Sequence, residues 1–247
     1  MRIEGLELER LGARVRTVAT VIWEDIDRPD QKIFFETEEE HAPYLACNPH
    51  AFLVAGILPA MRNGERRIAF DEQICPELRN GLETVMRWIC TWYGPPREPV
   101  KIEAKAGARM PAAKDGARAG AFLSGGLDSL AILRANRMDF PLEHPRSIRV
   151  ALLVHGFDIG AFEHGERELA KFAQALQSVV PVAEDAGVLL IPVYTNVRHL
   201  ADAVDFWMHE FHAAALSSVA HALAPQLASV AISSTATIEE LHPWGSH

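Results

Sequence analysis

The apolar run Ala119 to Leu123 breaks into Ser124-Gly125-Gly126-Leu127-Asp128-Ser129 and resumes as Leu130, Ile132 and Leu133 at helical spacing. No other stretch restricts the fold as strongly. It reads as a strand, a tight turn, and a helix that starts inside the turn. Two adjacent glycines allow positive φ and leave no Cβ in the way of a ligand. The N–H groups of the turn and of the first helical residues then converge on one spot. The helix N-terminus adds partial positive charge there, so the natural guest is a phosphate or pyrophosphate. A Walker loop would need a lysine after its second glycine, and a dinucleotide fingerprint would need Gly-x-Gly-x-x-Gly; the chain has neither.

All six positions match Ser-Gly-Gly-x-Asp-Ser, with Leu127 at the variable one, and the stretch resembles the PP-loop of the N-type ATP pyrophosphatases. That superfamily includes asparagine synthetases, argininosuccinate and GMP synthetases, tRNA thiolation enzymes and cyanodeazaguanine synthases. The resemblance implies an α/β fold of the adenine nucleotide alpha hydrolase-like, HUP type: a parallel sheet with helices on both faces. It implies ATP and Mg²⁺ as cofactors. It also implies phosphate cradling by Ser124, Gly125, Gly126, Leu127 and Ser129, with Asp128 orienting the loop or holding the metal. Ser124, Asp128 and Ser129 form the expected catalytic set.

From Arg118 onward strands and helices alternate, which by itself predicts a parallel sheet. Strands are expected at 119–123, 149–154, 188–193 and 229–232, with helices at 128–137, 163–186 and 202–223. Ligands of such sheets sit outside the carboxyl ends of the strands. Each end here is polar, so the candidates for nucleotide binding are His155, Gly156, Phe157, Asp158, Asn196, Ser233, Ser234 and Thr235. By resemblance the second strand's end lies near the adenosine. His155 reads equally well as a plain loop residue, and Asp158 could hold a ribose hydroxyl or a metal. Asp205 and His209, one turn apart, are candidate substrate contacts. His209 and His212 share a helical face, but no third metal ligand is evident and a structural role is preferred. His242 and Trp244 belong to a terminal His-Pro-Trp-Gly-Ser-His segment that looks like the substrate-side loop of asparagine-synthetase-like proteins; its last three residues also read as an expression remnant.

The first half carries a different pattern. A hairpin is expected from 15–23 and 32–36, a helix from Asn48 or Pro49 that Pro59 disturbs, a strand at 66–70, and a second helix from Pro76 to the Gly94-Pro95-Pro96 stop. Pro99 to Ala104 can form another strand. Trp88, Trp92 and Tyr93 recur at helical spacing and are expected in the core, and His41 and His50 on the surface. The resulting organisation is a small α+β domain at 1–104, a linker at 105–118 and a PP-loop ATP-binding domain at 119–247 that stops before the fifth strand of the family's sheet.

Composition limits the functions available. The chain has 247 residues, is 49% hydrophobic and 23% charged, and carries a net charge of -9. It can bury a sizeable core, and its acidity argues against a general nucleic-acid or membrane surface. No apolar run is long enough to span a bilayer, and residues 1–9 are too charged for a signal peptide. Cys47, Cys75 and Cys90 form no Cys-x-x-Cys pair and suit a reduced cytoplasm.

The resemblance therefore implies ATP-dependent adenylation of a small-molecule or peptide carboxylate or amide, with release of pyrophosphate, followed by amide or amine ligation. An ammonia donor or a partner subunit could complete the reaction, and a homo-oligomer is compatible with it. Residue 2 is Arg, so the N-terminal cysteine glutaminase of asparagine synthetases is absent. No cysteine follows the loop, which disfavours the persulfide route and removes the zinc site of the cyanodeazaguanine synthases. Two alternatives remain at this level: a non-catalytic nucleotide-binding subunit, and a nucleoside- or tRNA-modifying enzyme.

Overall fold

The computed structural model describes residues 1–107, 116–160 and 166–233. The chain is α/β, and one nine-stranded, mostly parallel sheet runs through both halves. Its strands are β1 (Arg2–Leu11), β2 (Arg14–Ile22), β3 (Gln31–Glu38), β4 (Arg67–Ile74), β5 (Lys101–Ala106), β6 (Arg118–Phe122), β7 (Ile148–His155), β8 (Leu189–Thr195) and β9 (Leu227–Ala231). They lie in the order β5-β4-β1-β2-β3-β8-β7-β6-β9.

The expected hairpin is β2 and β3, paired antiparallel. On β2 the buried Val15, Thr17, Ala19 and Val21 alternate along one face, as a half-covered strand requires. The two halves join where β3 pairs antiparallel with β8, Phe35 opposite Thr195 and Thr37 opposite Val193. Thr37 Oγ1 reinforces the seam by donating to the Pro192 carbonyl at 2.7 Å. The largest core likewise mixes both halves: Ile33, Phe35 and Phe52 share it with Ile191, Val193, Phe206 and Trp207.

Helices α1 (Pro49–Arg62) and α2 (Pro76–Tyr93) lie in the first half, and α3 (Leu127–Asp139) and α4 (Glu166–Asp185) in the second. After β8 come a short turn, α5 (Val204–Phe206), a π-helical segment Trp207–Phe211, and α6 (His212–Ala222). Strand parity assigns the faces. Ala121 and Ala151 pack with Leu133, Val179 and Ala183 of α3 and α4, whereas Val150 and Leu152 point the other way, into the core shared with α1 and α6. Helices therefore cover both faces of the second half.

Several expectations need correction. Pro59 does not break α1, which runs to Arg62. Residues 51–61 are all buried, and their packing outweighs the hydrogen bond that proline removes, a cost of about 3 kcal/mol. His41 and His50 are not on the surface; each is only 8% exposed. Trp88 and Trp92 are not in the core, being 53% and 39% exposed. Strand β1 had no counterpart in the sequence reading. Among the described residues, no helix is long and apolar enough to cross a membrane.

Candidate functional site

The path of the chain across the sheet locates the site. From β6 the strands step outward through β7 to β8, and the chain then returns to the other side of β6 for β9, all four parallel. That reversal beside β6 is a topological switch point, where adjacent connections diverge to opposite faces and leave a crevice at the carboxyl ends. The glycine loop follows β6 directly.

The loop is built for exposure. Leu123 N–H makes the last rung to β7, donating to the Leu152 carbonyl at 2.9 Å, and the chain then leaves the sheet. Gly125 turns it with φ +81°, and a Cβ there would also press on Val179 Cγ2 at 3.1 Å. Gly126 is the extended N-cap of α3. Its N–H donates to Ser124 Oγ at 3.3 Å, while the buried Ser129 donates through Oγ to the Gly126 carbonyl at 2.8 Å. These two bonds fix the loop from beneath. Residues 124–128 stay exposed, Leu127 at 82%. The N–H groups of Leu127, Asp128 and Ser129 open the helix and by position have no intrahelical acceptor.

A second loop faces the first. After β7, Gly156 adopts φ +105°, and its N–H donates to the Ile159 carbonyl at 2.7 Å. A Cβ at this position would lie 1.7 Å from the Thr195 carbonyl oxygen, so only glycine fits. The turn buries Phe157 and presents Asp158 outward. Arg198, 5% exposed, holds the turn from behind: one guanidinium nitrogen donates to the Phe157 carbonyl at 2.7 Å and lies 3.7 Å from Asp158 Oδ1. The same guanidinium lies over the Trp207 ring at 4.3 Å. Burial pulls its pKa below the usual arginine value, with Asp158 opposing that shift.

Between the loops lies a cavity of about 210 Å³, bordered by Ser124, Asp128, Asp158, His212 and Ser233. Burial pulls the His212 imidazole below the usual histidine range, with Asp158 opposing and Arg198 assisting, so the ring is neutral near pH 7. The space suits an anionic or polar group held between backbone amides on one side and a carboxylate on the other. Among the described residues no three His, Cys, Asp or Glu side chains cluster as a metal site.

Of the residues expected at the site, Ser124, Gly126, Asp128, Ser129, Phe157, Asp158 and Ser233 border this one cavity. Gly125, Leu127 and Gly156 shape the two loops. Others lie elsewhere. His155 projects from the opposite face of β7, its ring packed against Phe172 at 5.1 Å and Tyr194 at 5.6 Å. Asn196 ties β8 to β3, accepting from Phe34 N–H at 3.0 Å and donating to the Lys32 carbonyl at 2.8 Å. Asp205 is exposed and meets Arg62 at 3.3 Å. His209 is exposed, and its carbonyl accepts from the Tyr93 hydroxyl at 2.5 Å. It does not share a face with His212, because the π-helical winding carries residues three apart to different sides. Ser234, Thr235, His242 and Trp244 lie outside the described residues.

Arg198 and Trp207 had no part in the sequence reading, and His212 entered only as half of a metal pair. No protein-family model matches the chain, and no curated protein or solved structure does either.

Proposed function

We propose that the chain is an ATP pyrophosphatase of the PP-loop kind, which binds ATP with its β,γ-pyrophosphate on the Ser124–Ser129 loop and forms an adenylated carboxylate or amide. One observation carries this reading: a complete Ser-Gly-Gly-x-Asp-Ser loop opens a helix at the switch point of a parallel sheet, solvent-exposed, with its serine hydroxyls turned to brace its own backbone. The order β8-β7-β6-β9, with the reversal beside β6, is what supports a HUP-type reading of the second half.

In this scheme the amides of the first turn of α3 hold the two leaving phosphates and stabilise the charge that grows as they depart. A substrate oxygen attacks the α-phosphorus, the bond from that phosphorus to the α,β-bridging oxygen breaks, and pyrophosphate leaves with the electron pair. Ammonia or an amine then displaces AMP from the activated acyl or amide carbon. Asp128 and Asp158 both border the cavity, and one or two carboxylates with phosphate oxygens are the donor set that Mg²⁺ adopts. When bound, the ion would neutralise phosphate charge. Asp158 is also placed to accept from a ribose hydroxyl.

Pyrophosphate exchange into ATP, measured across a panel of carboxylates and amides, tests the proposal. Wild type is expected to exchange with its own substrate and Asp128→Ala to fall at least tenfold. Equal exchange in the two proteins would take Asp128 out of the mechanism, and absence of ATP binding by calorimetry would overturn the reading.

A further inference from the structure

A groove on the far side of α6 from the glycine-loop cavity carries a separate signal. It has a volume of about 460 Å³ and runs between α2 and α6, with Val54, Ile57 and Leu58 of α1 as its floor. Its α2 wall includes Leu78, Gly81, Val85, Trp88 and Trp92, and its α6 wall is the small residues Ala213, Ala214 and Ser217 together with His221. Val85, Trp88 and Trp92 are 42%, 53% and 39% exposed, and the two indole rings lean together with centroids 5.5 Å apart. A ridge of large apolar side chains thus stands beside a trough of small ones on a single face.

Gly81 sharpens the point. It lies inside α2 with ordinary helical backbone, and a Cβ added there would have nothing within 4 Å. Glycine is the poorest interior helix former after proline, and nothing among the described residues requires it at that position. A body approaching from outside would. The α2 wall residues are spaced four and three apart in the a/d pattern of a helix that packs on another helix. In an antiparallel pair of α2 helices with the axis between Met86 and Arg87, Trp92 meets the partner's Gly81 and Trp88 meets the partner's Val85. Each large ring then faces a smaller residue, and the same patch serves both copies, as a two-fold interface demands. Charge allows it as well. Glu210, at one end of the groove, is paired with Arg97, whose Nε donates to it at 2.6 Å, so two acidic copies meet over a neutral seam.

We infer that the α2–α6 groove is a homodimer interface in which α2 of a second copy lies, with Trp88 and Trp92 as anchors. The interface is independent of nucleotide binding.

Sedimentation of the full chain at tens of micromolar, with and without ATP, tests it. Wild type is expected at twice 27.3 kDa. Trp88→Glu with Trp92→Glu alters two exposed rings and is expected to give a monomer with unchanged far-UV circular dichroism. Gly81→Gln separates interface from fold: a better helix former in open space should raise the thermal midpoint of the monomer and weaken the dimer tenfold or more. A monomeric wild type, or a Gly81→Gln dimer as tight as wild type, would overturn the inference.

Discussion

The indole N–H of Trp207 donates to Oδ1 of Asp158 at 3.3 Å, joining the π-helical segment before α6 to the loop after β7. Arg198 contacts both residues, so the Asp158 carboxylate, which borders the cavity opposite the glycine loop, has its position set by two side chains distant in sequence. π-helical turns recur at functional sites because they re-aim side chains that an α-helix would turn elsewhere. Asp158→Ala is expected to weaken ATP binding by roughly 10–100-fold, the loss of one hydrogen bond to a charged group. Trp207→Phe keeps the carboxylate but frees it, and should cost only a few-fold. Calorimetric titration with ATP decides this. An effect of Trp207→Phe as large as that of Asp158→Ala would show that the buried indole's hold on the carboxylate is needed in full for binding.

The glycines of the two loops do different work, and alanine substitution separates them. At Gly156 a Cβ falls 1.7 Å from a backbone carbonyl and φ is +105°, so the turn cannot close around alanine. Gly156→Ala should destabilise the chain by about 3 kcal/mol or more, read as a lower urea midpoint. At Gly126, φ is -75° and the nearest atom to a Cβ is Ser124 Oγ at 3.4 Å, an ordinary contact. Gly126→Ala should therefore fold with a urea midpoint near wild type while losing ATP affinity, because the methyl group enters the space an anion would use. Full affinity in Gly126→Ala would mean that the phosphates do not approach this residue.

What the sequence revealed and what it hid follow from the range of the interactions concerned. The Gly-Gly turn, the strand before it and the helix after it are local, and so are the four second-half strands; periodicity and turn chemistry exposed them. Strand β1 was hidden because Glu4, Glu7 and Glu9 interrupt its apolar positions, and Gly5 at φ +65° accompanies a shift of its register against β2. His155 was misplaced through parity: it stands one residue beyond Val154 on β7, so its ring takes the opposite face from the cavity. Arg198 and Trp207 had no local motif, since their partners lie 41 and 49 positions away. Trp88 and Trp92 have core-like spacing, yet spacing reports which side chains share a face and not what covers that face.

Acid sensitivity should centre on a half-buried histidine away from the proposed site. Burial lowers the His221 pKa to about 4, with His50 adding to the shift, and the two rings lie 6.1 Å apart. The folded chain thus holds His221 neutral, whereas the unfolded chain takes up a proton as pH falls through about 6.5. Below that pH the unfolded state binds more protons, so stability falls with pH and levels off once the folded-state value near 4 is passed. Discounted for the partial exposure of the ring, the loss from this residue is on the order of 2 kcal/mol between pH 7 and pH 4. His41, His50 and His212 are depressed by burial in the same direction and add to the slope. Urea unfolding at a series of pH values should show stability declining below about pH 6.5, and His221→Phe should flatten part of that decline without removing it. If the variant and wild type decline in parallel, His221 titrates alike in the folded and unfolded chains and is not shielded from water as its lowered pKa implies.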